Sequence, residues 1–210
     1  MVVVIDYKMG NLGSVANMLK RLGARVKVSR DRSEITAAQK LVLPGVGHFA
    51  AAMNSLRDLG LIEILNEKVI SQQTPILGVC LGMQTMMLQV EEGTDKVLRW
   101  FDAEVKRFNF PLSSQRLKVP HMGWNQLDVV SRDCLFRNLP ADHRFYFAHS
   151  YYVECEKKSD VLAVCNYGLP FVAAVKKSNI WGVQFHPEKS HKFGFQVFKQ
   201  FLEMTCFDRA

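Results

Sequence analysis

Long hydrophobic runs are missing from this sequence of 210 residues. No apolar stretch approaches the ~20 residues that a helix needs to cross a bilayer. The strand-like residues 2–6 are not preceded by the basic segment of a secretory signal. We therefore expect a cytoplasmic protein that does not act at a membrane.

Metal-binding and disulfide patterns are missing as well. The five cysteines form no C-x-x-C pair and no Cys/His spacing typical of zinc sites. The sequence therefore predicts free thiols and no metal, and we expect no cofactor. The net charge of +7 comes from scattered Lys and Arg, not from a basic stripe interleaved with aromatics. This argues against a nucleic-acid partner and favours an anionic substrate or an acidic protein partner.

The first half of the chain alternates strand-like and helical patterns. Short apolar strands are predicted at residues 2–6, 25–28, 41–43 and 75–79, and helical spacing of apolar residues recurs between them, including residues 53–69. Such alternation is typical of a parallel sheet covered by helices on both faces.

The second half contains mostly strand-like segments and ends in a helical pattern near residues 193–202. The predicted strands are residues 104–107, 125–130, 145–149, 151–155, 162–166, 172–175 and 180–184. No linker or change of composition separates the halves. The sequence therefore predicts one domain over residues 1–210, with an α/β fold: an open, mixed, mainly parallel central sheet flanked by helices.

One segment has the spacing of a nucleophile elbow, with cysteine in the central position. In Gly78-Val79-Cys80-Leu81-Gly82, a sharp turn between strand and helix would crowd any side chain two residues before or after Cys80. A helix beginning there would favour the thiolate through its dipole. From this segment alone, a buried cysteine flanked by chance glycines is an equal alternative.

A base and its orienting group are found in Phe185-His186-Pro187-Glu188. Pro187 ends the preceding strand, and Glu188 is close enough to accept a hydrogen bond from the imidazole. The alternative is a structural histidine beside a surface acid. Together with the elbow, the pattern predicts a catalytic triad of Cys80, His186 and Glu188.

A third loop, Pro44-Gly45-Val46-Gly47, follows the strand at residues 41–43. Parallel strands end at the same sheet edge, so this loop is expected beside Cys80. The N–H of Val46 or Gly47, together with that of Leu81, then predicts an oxyanion hole. A plain Pro-Gly turn is the alternative.

Along the chain, the glycine loop comes first, then the elbow with Gln84 after it, and then His186-Pro187-Glu188. These motifs and their order resemble those of the class I glutamine amidotransferases. The stretches Val119-Pro120-His121-Met122-Gly123-Trp124-Asn125 and Phe147-Ala148-His149-Ser150-Tyr151 are similar to a branch of that family, the glutaminase subunits of imidazole glycerol phosphate synthases. The resemblance extends over essentially the whole chain.

The resemblance implies that Cys80 attacks the carboxamide of L-glutamine and that ammonia passes to a separate (β/α)₈-barrel synthase subunit, the partner in a heterodimer. An acid such as Glu92 suits the α-ammonium group of glutamine. The substrate-binding residues implied are Gly45, Gln84, Glu92, His149, Ser150 and Tyr151.

The resemblance also implies that residues 121–125 belong to the partner interface. Composition alone equally allows a turn before a core strand. His191 stands where the branch leads us to expect Gln. This departure leaves open a related protein that supplies ammonia for amination of a surface-polysaccharide sugar. A catalytically silent regulatory module is a separate alternative, and the presence of Cys80, His186 and Glu188 argues against it.

Overall fold

The computed structural model describes residues 1–90, 98–110, 117–131 and 133–204. The strands within these ranges are β1 (Val2–Ile5), β2 (Val26–Ser29), β3 (Lys40–Gly45), β4 (Ile76–Cys80), β5 (Met87–Val90), β6 (Phe101–Arg107), β7 (His121–Asn125), β8 (Asp128–Val129), β9 (Phe145–His149), β10 (Tyr151–Cys155), β11 (Val161–Asn166), β12 (Pro170–Lys177) and β13 (Ile180–Val183). The α-helices are α1 (Leu12–Arg21), α2 (Arg32–Thr36), α3 (Phe49–Asp58), α4 (Leu61–Asn66), α5 (Leu81–Gln84) and α6 (His191–Glu203).

A single large sheet organises the described part of the chain. Its main order is β2-β1-β3-β4-β13-β12-β10-β6-β5, and β11 and β8 extend from β12 as a second branch. The block from β2 to β13 is parallel throughout, whereas β13, β12, β10 and β6 pair antiparallel. The prediction of an open, mixed, mainly parallel sheet is confirmed.

Both faces of this sheet are covered, as the strand patterns predict. Side chains alternate along β1, so Val2 and Val4 pack in one hydrophobic cluster with α1 and α6, whereas Val3 and Ile5 pack in another with α3 and α4. The β-branched residues of β1 are fully or almost fully buried. Burial on both faces explains why the strand is continuously apolar.

The structure differs from the prediction at several elements. The strand predicted at residues 125–130 lies earlier, as β7, and only the two-residue β8 falls inside the predicted range. The helical pattern over residues 53–69 is divided between α3 and α4 because Gly60 adopts a left-handed conformation with φ 62°. The short elements α2 and β5 were not predicted.

A separate two-stranded sheet borders the main one. Strand β7 pairs antiparallel with β9, with Met122 opposite Ala148 and His121 opposite His149. Residues 121–125 are therefore a strand, and the alternative of a turn is wrong. In the described ranges, no helix combines the length and apolar character that a membrane span requires.

Candidate active site

The loop after β4 holds Cys80 in a strained backbone conformation. Its φ is 54° and its ψ is −111°, values that side-chain-bearing residues rarely adopt. This strain marks a sharp turn that directs the side chain away from the strand, as expected of an elbow. The thiol is buried, with 5% of the residue exposed, and it borders a cavity.

The glycines on either side of Cys80 are sterically required. A Cβ at Gly82 would lie 1.8 Å from the carbonyl oxygen of Leu43, and one at Gly78 would lie 2.6 Å from the Met86 methyl and 2.9 Å from the Met83 nitrogen. These distances are far below van der Waals contact, so the spacing of glycines reflects packing of the turn against β3 and the following helix.

The helix that begins after Cys80 is short. α5 contains only Leu81–Gln84, a single turn. The aligned peptides that produce a helix dipole are therefore few. The sulfur instead has side-chain partners, His186 and Gln184.

His186 and Glu188 follow β13, the parallel neighbour of β4 on the side opposite β3. The His186 Nδ1 atom lies 2.9 Å from Glu188 Oε1, and both side chains are 2% exposed. Because a carboxylate oxygen can only accept, Nδ1 carries the proton, which leaves Nε2 for the interaction of the ring with Cys80.

Charge in this cluster changes the pKa of His186. Burial alone would lower it, but the charge and hydrogen bond of Cys80, followed by those of Glu188, outweigh burial and raise the pKa of His186 to about 10. The imidazolium is therefore favoured at neutral pH. A cationic ring beside a cysteine is the environment in which the sulfur reacts as a thiolate.

The peptide segment after β3 lies at the same sheet edge. Gly45 pairs in register with Cys80, and Gly47 has φ 109°, which lets its peptide groups adopt orientations closed to other residues. Val46, Gly47 and Leu81 all border the cavity that contains Cys80. The structure thus brings the three predicted oxyanion-hole residues to the nucleophile candidate.

The cavity has a volume of about 290 Å³, the size of a small-molecule site. It is lined by Val46, Gly47, His48, Cys80, Leu81, Gln84, Pro120, Ala148, His149, Ser150 and Tyr151. Four of the predicted substrate-binding residues, Gln84, His149, Ser150 and Tyr151, are therefore in its wall.

The other two predicted substrate-binding residues are placed differently. Gly45 is buried within β3 and does not line the cavity, and a Cβ there would lie 2.3 Å from the Tyr7 hydroxyl oxygen. Its glycine character thus reflects close packing of the chain around Tyr7. Glu92 lies outside the described residues.

Sequence reasoning missed two buried polar residues at the site. His121 Nδ1 lies 3.1 Å from His149 Nε2, and Gln184 Nε2 lies 3.6 Å from Cys80 Sγ. Burial, the largest influence on both imidazoles, lowers the pKa of His121 to about 4 and of His149 to about 3. Gln184 could have been suspected because it ends the predicted strand at residues 180–184, two residues before His186.

Fold and site together define a class of protein: an α/β enzyme with a cysteine at a strained elbow, a paired histidine and carboxylate, and a neighbouring glycine loop. Comparison with known proteins narrows this class. The family model "Glutamine amidotransferase class-I" matches residues 3–204. The chain belongs to this family and is a glutamine amidotransferase.

Two curated relatives are similar over nearly the whole chain. "Imidazole glycerol phosphate synthase subunit HisH 2" of Pseudomonas aeruginosa is 49% identical, with 98% of this chain and all of that protein covered. The protein of the same name from Methanococcus maripaludis is 46% identical at the same coverage. Among solved structures, PurLQS from Thermotoga maritima superposes with a TM-score of 0.70 at 18% identity, covering 96% of this chain and 96% of the matched one. At 18% identity, the similarity to PurLQS concerns the fold alone.

Proposed function

We propose that this chain is the glutaminase subunit of an imidazole glycerol phosphate synthase. It hydrolyses L-glutamine to glutamate and ammonia and passes the ammonia to a (β/α)₈-barrel subunit that makes imidazole glycerol phosphate and AICAR in histidine biosynthesis. The observation that carries the proposal is that Cys80, in the wall of the cavity, interacts with the buried and hydrogen-bonded pair of His186 and Glu188. Relatives carrying the synthase-subunit name at 46–49% identity support the pathway.

The proposed first step is attack of the Cys80 thiolate on the carboxamide carbon. The C–S bond forms while the carbonyl π electrons move to oxygen, and N–H groups of Val46 or Gly47 and of Leu81 stabilise that oxyanion. The His186 imidazolium then donates its Nε2 proton to the leaving nitrogen, the C–N bond breaks, and ammonia departs. A glutamyl thioester remains on Cys80.

Water completes the cycle. Neutral His186 accepts a proton from water as the hydroxyl oxygen attacks the thioester, and collapse of the second tetrahedral intermediate releases glutamate and the Cys80 thiolate. Glu188 keeps the Nδ1 proton in place throughout, so that Nε2 alone exchanges protons. The sum is glutamine plus water giving glutamate plus ammonia.

The substrate role that we propose for the cavity wall is orientation of glutamine. Gln84 and Ser150-Tyr151 line the cavity with Cys80 and offer the amide oxygen of Gln84 and backbone groups for the polar ends of the amino acid. Glu92 is proposed as partner of the α-ammonium from the resemblance to the family and from its charge.

Replacement of the nucleophile tests this chemistry. With the barrel partner present, Cys80→Ser is expected to lower glutamine-dependent synthesis by at least about 10³-fold, since the thiolate is lost, while synthesis from added ammonia is retained. Cys155→Ser, at the half-buried end of β10, is the matched control and keeps both activities. Glutaminase activity that survives Cys80→Ser would refute the triad.

The partner surface is proposed on β7. Met122 is 63% exposed and Trp124 is 43% exposed, and Met122 pairs with Ala148, which lines the cavity. Large exposed apolar residues next to a site are typical of an interface core. Arg144 and Lys192 border an adjoining cavity of about 660 Å³ next to Trp124, so an acidic rim on the partner would complement this surface.

Affinity for the barrel subunit tests the surface. Trp124→Ser is expected to weaken binding by at least about 30-fold, the scale of a hot-spot residue. Val28→Ser is the control, because Val28 is also 43% exposed but lies on the edge strand β2. Equal affinities of the two variants in a titration would place the interface elsewhere. A wild-type chain that binds only a partner acting on a sugar acceptor would redirect the pathway and keep the chemistry.

We propose that residues 1–210 form a single domain, because both halves of the chain contribute strands to the main sheet. We also propose the cytoplasm as its compartment. The free thiols of Cys80, Cys134, Cys155 and Cys165 suit a reducing environment.

A further inference from the structure

Gln184 is a buried amide that contacts the sulfur of Cys80. It is 0% exposed and follows β13, whose register pairs Val183 with Val79 and so brings Gln184 beside Cys80. Its Nε2 atom lies 3.6 Å from Cys80 Sγ. A glutamine amide has two donors and one acceptor oxygen, all of which need partners when buried.

The direction of this contact is fixed by a backbone carbonyl. The carbonyl oxygen of Tyr151 can only accept, and Gln84 Nε2 lies 3.1 Å from it, so the amino group of Gln84 is on that side. The same Nε2 donates to Gln184 Oε1 at 3.0 Å. With its oxygen turned to Gln84, Gln184 directs its own N–H at the sulfur.

The Tyr151 carbonyl also receives a hydrogen bond from the other side. His149 Nδ1 lies 2.7 Å from it and must donate, which leaves His149 Nε2 to accept from His121 Nδ1. Both rings are neutral in this arrangement. A buried chain of hydrogen bonds thus extends from His121 to Cys80, and every donor in it has an assigned direction.

The strength of the hydrogen bond from Gln184 to Cys80 depends on whether the sulfur is a thiol or a thiolate. A neutral thiol is a weak acceptor, so a buried amide N–H aimed at it is poorly satisfied. A thiolate is an ionised acceptor, and hydrogen bonds to ionised groups are about twice as strong as neutral ones. The contact therefore favours the thiolate over the thiol.

We propose that Gln184 is a positioning residue for the nucleophile: held by Gln84, it donates an N–H to Cys80 Sγ and stabilises the thiolate that attacks glutamine. The role of Gln184 in turnover rests on the proposed function. The hydrogen bond from Gln184 to Cys80 does not depend on that function. Gln184 has no exposed surface and does not line the cavity, so its effect acts through the sulfur and not through contact with substrate.

Alkylation of Cys80 tests the hydrogen bond without glutamine. The full chain is treated with iodoacetamide over a range of pH, and peptide mass spectrometry follows Cys80 separately from the other four cysteines. Gln184→Leu is expected to move the acidic midpoint of the rate profile upward by about one pH unit, so that below the midpoint the rate falls about tenfold. Gln184→Glu keeps the shape and adds a negative charge, so a larger upward movement is expected.

A matched control separates this effect from loss of a buried amide in general. Gln200 is also buried, in α6, where its amide contacts Glu203, and Gln200→Leu is expected to leave the Cys80 profile unchanged. In the complex with the barrel subunit, Gln184→Leu lowers kcat for glutamine by a similar factor, and KM changes less than about twofold.

Wild-type alkylation profiles in both Gln184 variants would overturn the inference. So would collapse of the thermal midpoint in both variants, because Gln184 would then be a structural residue. Failure of the proposed function has a different signature: the wild-type chain shows no glutaminase activity with its partner, whatever the alkylation profiles of the Gln184 variants.

Discussion

The elbow at Cys80 and the segment at His186 position two reacting groups by different physical means. Cys80 is fixed by steric exclusion: a φ of 54°, with backbone atoms of Leu43 and Met83 closing off side chains at the flanking glycines. His186 is fixed by hydrogen bonds. Its backbone N–H donates to the Tyr146 carbonyl at 2.8 Å, and its carbonyl accepts from Ser190 Oγ at 2.6 Å.

The difference follows from what each group must do. A nucleophile needs a fixed approach to the substrate, and repulsive contacts between backbone atoms are stiff and independent of pH. A base must change its protonation state, and the surrounding donors and acceptors select which nitrogen does so. The contacts that fix the elbow should therefore be insensitive to pH, whereas those that fix the His186 side chain should respond to it.

The largest expected effect is on the elbow. Gly82→Ala places a methyl group against the Leu43 carbonyl at 1.8 Å, so β3 and α5 must separate, and we expect the free energy of unfolding to fall by more than about 4 kcal/mol. Gly13→Ala in α1, where a Cβ meets nothing within 4 Å, should instead raise it by up to about 1 kcal/mol. Urea denaturation measures both, and a Gly82→Ala chain of wild-type stability would contradict the steric account.

The next largest effect is the loss of stability at acidic pH that comes from His121. The pKa of His121 in the folded chain is about 4, below its unfolded value near 6.5, so the unfolded chain binds the proton first. Stability from this group is present above about pH 6.5 and is lost as the pH falls towards 4, by roughly 3 kcal/mol.

His121→Phe should remove the part of the acid dependence that comes from His121 and leave the part that comes from His149. The phenyl ring can keep the stacking on Tyr167, at 3.9 Å between centroids, but it cannot take up a proton. At neutral pH the variant loses about 1–2 kcal/mol, because His149 Nε2 is left without its donor. Urea denaturation at several pH values checks this, and parallel wild-type and variant curves between pH 7 and 4 would contradict it.

The raised pKa of His186 predicts the opposite slope at alkaline pH. Its stabilising contribution is fully present below about pH 6.5, the unfolded value, and is lost as the pH rises through about 10. The elbow backbone contributes no such dependence. Unfolding free energies measured over a range of pH can therefore distinguish the contribution of the His186 side chain from that of the elbow backbone.

The smallest effect is expected at Ser190, whose hydroxyl group holds the backbone of His186. Ser190→Ala removes an oxygen that accepts from the Tyr146 N–H at 3.0 Å and donates to the His186 carbonyl. We expect a loss of about 1–2 kcal/mol in stability and a lower kcat at unchanged KM, since the ring is less well held. Ser159→Ala, at an exposed position, is the control. Steady-state kinetics of the complex would contradict the prediction if both variants matched the wild type.

Much of the fold could be predicted because the strands near the site carry strong local signals. Residues 2–6 and 75–79 are apolar and end at glycine or polar loops, so β1 and β4 were found within a residue or two at each end. The prediction failed at β7, where burial alternates and Gly123 interrupts the pattern with a φ of 139°. It also failed to divide residues 53–69 at Gly60, since helical spacing of apolar residues continues across the break.

In the candidate site too, some features could be predicted from the sequence and others could not. The triad and the glycine loop were predicted from short motifs, because each needs particular residues at fixed spacing. The partnership of Gln184 with Gln84, and of His121 with His149, depends on contacts between distant strands. Nothing in the local sequence of residues 84 or 121 indicates these partners.

By itself, the sequence determined where the chain turns, which strands are buried on both faces and which residues are chemically able to act, because these depend on local sterics and hydrophobic periodicity. The tertiary structure alone decided which polar atoms face one another at Cys80 and in what direction each donates. Those choices depend on the register between β4 and β13 and on a backbone carbonyl in β10, and pairing between strands far apart in sequence is set by packing of the whole sheet.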